Sequence, residues 1–499
     1  MGYDARMRSF LCAVTVALAF CACPPGPPGG TGGGAAGGTG FTGGGLASGG
    51  GLASGGGSAG GASAGGSAGG ASAGGSAGGA SAGGSAGGAG TGPGSFTVTS
   101  TVLDPKVVTD TAGAFHLVHR TQAPNTIVYG RCDSDCGRMS RWSFVTVEPL
   151  ATYAVAPRLA VGADGRAHLV WNTTAPKKYV YSTCAAGCAA SASAWTTVEI
   201  DAVDCDWEDN NSNLVLDGAG RLSFVSTDPS FRRVCLSTCA GACTTATSWQ
   251  TATIIDLPNA SGRAIRLAFA GHGTTLHLVY DDWVAGLRYQ RCAGNCTQQS
   301  SWTRSDPLFF HGDDGPVSLA ASPTGRLVLA YNQGTTDAAA PMDVKAFDRQ
   351  PLVWDCSTGC DQRANWAGVG LGGAGEGLNG MAALVDATGI GAVLTQGSGA
   401  SLALCAAGCA MPASWMTGDL DTQATLNAGL PDPYTVSPGC EVNGMPVRPQ
   451  LATWASEAPA AAVSSRGLVV HTGTRRLRTC PGVSTPTLFP GYGRLLFVP

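Results

Sequence analysis

Thiols four residues apart, each pair followed closely by a tryptophan, are the chemistry this sequence repeats. The pairs are Cys132/Cys136 with Trp142, Cys184/Cys188 with Trp195, and Cys239/Cys243 with Trp249; then Cys292/Cys296 with Trp302, Cys356/Cys360 with Trp366, and Cys405/Cys409 with Trp415. Two thiols at this spacing could hold part of a metal site, exchange disulfides, or close a bridge across a tight turn. A zinc site needs three or four ligands, and no histidine recurs beside the pairs. Six short disulfide clips are therefore expected, because residues i and i+4 come within bridging distance across a turn. Closing a five-residue loop is worth about 2 kcal/mol in the chain-entropy model, so the clips fix turns rather than create a fold. Cys205 with Cys235, and Cys440 with Cys480, form two further couples within single repeats. Spacing alone leaves their connectivity open.

Other groups with chemical potential lie between the pairs. Asp204, Asp206 and Asp209, with amides nearby, could supply oxygen ligands to calcium. They lack the full EF-hand spacing, with its glycine at the sixth position and terminal glutamate. Acid beside tryptophan recurs in Trp207, Asp281, Asp282 and Trp283, and acid alone in Asp313 and Asp314. These six residues are the candidates for a ligand-binding face. His116, His168 and His277 recur in His-Leu-Val, but other copies carry Ser223 or Val328 there. A position that accepts valine reads as packing, not catalysis. No Ser-His-Asp order, His-Glu-x-x-His, Walker loop or Rossmann fingerprint occurs, so no catalytic residue is assigned and calcium is the one cofactor considered.

The elements that must position these groups are short strands. Before Cys184 come Arg158-Leu-Ala-Val, a turn at Ala163-Asp164-Gly165, Ala167-His-Leu-Val-Trp171, and Tyr179-Val-Tyr-Ser-Thr183; a fourth run starts at Trp195. Runs rich in β-branched and aromatic residues, separated by turn chemistry, mark a four-stranded antiparallel meander. The unit returns roughly every fifty to sixty residues, the signature of a repeat architecture. Four strands at this period resemble a β-propeller, in which blades bury their faces on each other and closure removes the edges. An all-β fold with seven blades is expected over 95–499, with six or eight also compatible. The seventh unit lacks a clip and a Trp-led strand after Cys480. Phe96-Thr-Val-Thr99 would complete it, and the tail from Thr487 to Val498 is a rival candidate.

In such blades the first-to-second and third-to-fourth turns share one face of the disc. The clips and Asp-Gly turns would lie there, and the irregular insertions at 204–211, 281–283, 311–314 and 332–344 on the other.

The chain has 499 residues, 76 glycines and 12% charged residues, with a formal net charge of -4. This balance gives no basic face for nucleic acid. Nineteen cysteines, mostly paired, argue for an oxidising compartment. Arg6 and Arg8 precede an uncharged run from Ser9 to Phe20, too short to span a bilayer but suited to a signal peptide over 1–22. Residues 23–94 are nearly all Gly, Ala and Ser and hold no charge, a composition expected to stay a disordered linker. About seventy such residues reach roughly 45 Å.

Phe20-Cys21-Ala22-Cys23-Pro24 resembles the lipobox of bacterial lipoproteins. That resemblance implies lipid on Cys23, with Cys21 the alternative. It also implies delivery to the outer membrane or cell surface, since Pro24 is not acidic; plain secretion is the other reading. In organisation the chain is similar to the Gly-Ala-Ser-linked, cysteine-clipped lipoproteins predicted in myxobacteria. Sialidase-type propellers are a more distant analogue: the Asp-box pattern Ser-x-Asp-x-Gly-x-x-Trp is not reproduced at Gly162 to Trp171. Together these point to a non-catalytic binding or scaffold module for glycan or protein, with an extracellular propeller glycoside hydrolase as the alternative.

Overall fold

The computed structural model describes residues 94–498 apart from short segments, including 201–204, 206–211, 283–285, 309–316, 333–350 and 431–439. Cys21, Cys23, the signal sequence and all but the last residue of the linker fall outside the described residues.

Seven four-stranded antiparallel sheets succeed one another along the chain and form the seven blades of a β-propeller. Blade 1 is built from Leu103–Thr109, Phe115–Gln122, Asn125–Cys132 and Ser143–Pro149, paired in chain order. Its first turn follows from local chemistry. Asp110 Oδ1 accepts the Ala114 N–H at 2.8 Å, and Gly113 takes a φ of 78° that only glycine adopts without strain. In blade 5 Ser322 does the same work, its Oγ accepting from the Arg326 N–H at 3.0 Å, with Gly325 at a φ of 88°. The second strands lie between neighbours on both sides, and Phe115–Gln122 is buried at every position except its last. This sandwiching explains why they read as continuous apolar runs such as Phe-His-Leu-Val.

The core is a set of layers between blades, and the clips end each layer. All six i,i+4 disulfides are formed. A short 3-10 turn then delivers the tryptophan, whose indole N–H donates to the carbonyl of the second cysteine of its own clip. These bonds run from Trp142 to Cys136, Trp195 to Cys188, Trp249 to Cys243, Trp302 to Cys296, Trp366 to Cys360 and Trp415 to Cys409, at 2.8 to 3.0 Å. Satisfying the indole lets its ring be buried against the preceding blade. Trp195 meets Tyr129 edge-on at 5.0 Å, and Trp249 meets Tyr181 at 5.3 Å.

Closure uses both ends of the domain. Leu451–Ser464 and Gly467–Thr479 are the first two strands of blade 7, Thr487–Val498 is the third, and Gly94–Thr101 is the outermost. The two candidates for completing this blade are therefore neighbours rather than rivals: Phe96 pairs with Leu495 and Gly94 with Phe497. Cys480 consequently follows a second strand, not a third, because the second strand runs on to Thr479.

The remaining disulfides join Cys205 to Cys235 and Cys440 to Cys480. By loop length their removal should matter more than loss of a clip. Replacing Cys205 and Cys235 together by alanine is expected to cost roughly 3–4 kcal/mol, against about 2 kcal/mol for Cys184 with Cys188. Equilibrium unfolding in urea checks the order, and a clip variant that loses more than the long-loop variant would contradict it.

Candidate functional site

Strand direction sorts the molecule into two faces. Each chain crosses from first to second strand, and from third to fourth, on the face that carries the clips. Second-to-third connections and blade crossovers lie on the other. The strand ends that flank 201–214, 305–316 and 333–350 lie at that second face.

At the centre the first strands of all seven blades line a cavity of about 760 Å³, with Asp104, Lys106, Asn213, Arg266 and Ser318 among its residues. Toward the loop face its rim is irregular. The first strands of blades 1, 2 and 4 slip register there, and Asp104, Ala156 and Arg266 take φ values of 52°, 49° and 58°. Left-handed backbone at non-glycine residues costs about 1–2 kcal/mol each and is held only where packing imposes it. Two of these bulges carry charge in opposite senses. Asp104 pairs with Arg120 at 3.3 Å, while Arg266 pairs with Asp281 at 3.2 Å. Sequence reasoning missed Asp104, Arg120 and Arg266, although alignment of the blades puts Asp104 and Arg266 at one repeat position and Arg120 and Asp281 at another, with the charges exchanged.

The candidate residues fall into two groups. Asp281 and Asp282 end the second strand Thr275–Asp282 and are 1% and 6% exposed. Arg266 holds the first, and Arg288 holds the second at 3.0 Å. They are bound into the scaffold rather than standing free on a loop. Trp207, Trp283, Asp313 and Asp314 lie outside the described residues, as do the calcium candidates Asp204, Asp206 and Asp209. Among the described residues no cluster of three His, Cys, Asp or Glu could hold a metal ion.

Arg158 has no exposed surface. Its Nε donates to Ser212 Oγ at 2.7 Å, and its guanidinium lies 5.7 Å from the Tyr179 ring and 5.4 Å from Phe224. Two aromatic faces stabilise the buried cation where blades 2 and 3 meet. Cys205 is anchored beside it through its bridge to Cys235 on the third strand of blade 3.

The histidines are structural. His168 Nδ1 and His277 Nδ1 each lie 2.8 Å from a tyrosine hydroxyl, those of Tyr181 and Tyr289, and His116 bonds Tyr129 likewise. Each tyrosine ring in turn packs on the next tryptophan along the ring of blades, as Tyr289 does on Trp366 in blade 5. Histidine and tyrosine change together between copies: Ser223 accompanies Leu236, Val328 accompanies Val353, and Gly391 accompanies Leu402. That covariation is a signal the sequence held.

At the closing interface His471 Nδ1 faces the Arg494 carbonyl at 3.0 Å, so it donates. Its Nε2 is 3.2 Å from His119 Nδ1 and, with the ring neutral, accepts from it. Burial holds His168, His277 and His471 at about 4, and His119 well below its ordinary value, with His471 opposing protonation there as well. Unfolded histidines take up protons near pH 6.5, so between 6.5 and 4 the unfolded state binds more protons. Stability is therefore expected to be full above 6.5 and to fall as pH is lowered through this window. Urea midpoints measured from pH 7.5 to 4.5 check this, and a midpoint that stays constant would contradict it.

No family model matches the chain, and no curated protein sequence does. Solved structures show likeness at low identity. A protein of unknown function from Dyadobacter fermentans shares 11% identity over 82% of this chain and 100% of its own, at a TM-score of 0.38. NanB sialidase from Streptococcus pneumoniae shares 9% over 60% of this chain and 66% of its own, at 0.42. The Aleuria aurantia lectin shares 11% over 64% and 96%, at 0.38. Likeness at this level carries nothing about a ligand.

Proposed function

We propose that the chain is a cell-envelope lipoprotein whose propeller is a non-catalytic binding or scaffold module, gripping a glycan or protein with its loop face. The observation that supports it is the separation of a stapled face from an irregular one. Six clips fix the former, while the charged, bulged rim of the central cavity and the strand ends that lead into the long connections share the latter. Variable connections on a rigid scaffold are where recognition usually resides. Trp207 and Trp283 would give apolar platforms for sugar or side chain, Asp313 and Asp314 would accept hydroxyl or amide hydrogens, and Asp204, Asp206 and Asp209 would take calcium. Lipid on Cys23 would hold the protein at the outer membrane without crossing it, and the tether would hold the disc away from the surface.

Full-length protein applied to a glycan array and to chromogenic glycosides tests the reading. Retention without product release is expected, and replacing Trp207 and Trp283 by alanine should weaken it at least about tenfold. Product released by the unaltered protein and lost in an Asp313→Ala, Asp314→Ala variant would make it a hydrolase instead.

A further inference from the structure

One blade interface differs from the other six. Where blades 1 to 6 each insert a clip and an indole against the blade before, blade 7 inserts neither among the described residues, since its third strand is Thr487–Val498 and its outermost strand, Gly94–Thr101, is contributed by the other end of the domain with no clip between them. Between blades 6 and 7, on the clip face, lies an open groove of about 390 Å³ lined by Leu402, Leu404 and Met416 of blade 6 and by Leu468 and Val498 of blade 7. Leu402 stands three residues before its first cysteine, as do Tyr129, Tyr181 and Tyr289, the residues that receive an indole from the next blade.

The walls of this groove also depart from the repeat. Leu404 pairs across the sheet with Met416. At the same register the other blades pair Arg131 with Ser143, Thr183 with Thr196, Thr238 with Gln250, Arg291 with Thr303, and Asp355 with Ala367. Every one of those pairs has at least one polar member. Only blade 6 offers two large apolar side chains, 37% and 68% exposed. Leaving them in water is unfavourable by about 25 cal/mol for each Å² of apolar surface, and contiguous apolar surface of this kind marks an interaction site.

We infer that this groove is a docking site for a partner polypeptide that presents a tryptophan on a tight turn, supplying an indole where the described residues of blade 7 place none. The occupant's chemistry follows from the six equivalent interfaces, which all seat an indole against the third strand of the preceding blade. Continuity with those interfaces also fixes its orientation: the ring enters beside Leu402, and the turn lies over Leu404 and Met416. Aromatic anchors in apolar pockets are the groups that dominate such contacts. This site lies on the face opposite the loops and is independent of the ligand proposed there.

The test uses an oxidised, fluorophore-labelled peptide with the sequence of residues 184–195, titrated with the full chain and read by anisotropy. Saturable binding is expected, at least about tenfold weaker for the peptide carrying Trp195→Ala and for the protein carrying Leu404→Lys and Met416→Lys, as for loss of an anchor residue. Both replaced residues are partly or largely exposed, so the double variant should unfold at an unchanged denaturant midpoint. Failure to saturate, or binding that is insensitive to either change, would overturn the inference. N-acetyltryptophanamide binding as tightly as the peptide would also overturn it, since the groove would then take a free aromatic molecule. So would a self-association of the unaltered chain that the double variant abolishes, because a second copy would then be the occupant.

Discussion

Replacing Arg494 by alanine is expected to lower stability by about 3–5 kcal/mol, the cost of stranding one partner of a buried ion pair. Arg494 and Asp421 are each 2% exposed and meet through two bonds, Nε to Oδ2 at 3.0 Å and Nη2 to Oδ1 at 3.3 Å. The same guanidinium donates from Nη1 to Thr97 Oγ1 at 2.9 Å and from Nη2 to Ser95 Oγ at 3.2 Å. One side chain on the third strand of blade 7 thus ties the last strand of blade 6 to the strand that closes the ring. The short helix Gln423–Gly429 lies over it, and a Cβ on Gly429 would come within 2.6 Å of Nη1. Lysine should not rescue, because an ammonium cannot reproduce the fork. The double change Arg494→Met, Asp421→Leu should recover most of the loss, since no charge is then left buried alone. Guanidinium unfolding measures all three, and a loss below about 1 kcal/mol for Arg494→Ala would show that water reaches Asp421.

Removing 94–101 should be costlier still, taking a large part of the ~5–15 kcal/mol that typically holds a domain. The strand pairs along Thr487–Val498 and brings Val98 into the layer between blades 7 and 1, alongside Leu495, Phe115 and Trp142. Without it, Arg494 loses two acceptors and the third strand of blade 7 becomes a bare edge, open to pairing with other chains. A synthetic peptide of residues 94–102 added to the truncated protein is expected to restore the unfolding midpoint by strand addition. Truncation that leaves the midpoint within error of the full chain would show that the ring does not depend on this strand.

Repetition made most of this fold legible. The cysteine and tryptophan positions recur, so each copy tests the same reading, and strand order, face assignment and clip pairing follow from one unit. What occurs once was hidden. Nothing in the neighbourhood of Asp421 or Arg494 announces a pair separated by a whole blade, and the left-handed conformations at Asp104, Ala156 and Arg266 fall on three different residue types, none of them glycine. The candidate site was half legible. Tryptophan and acid in irregular connections were visible, but the burial of Asp281 and Asp282 under arginines depends on Arg266 entering from the neighbouring strand in a left-handed conformation. The groove beside Leu404 could be read only once the indoles had been seen to face backward around the ring.

The pairing of Gly94 with Phe497 also sets an order of events during synthesis. The strand that leaves the ribosome before the rest of the domain waits for the last one before it has a partner, so the disc cannot shut while any blade is still being made. Until then each newly emerged blade exposes the surface meant for its successor.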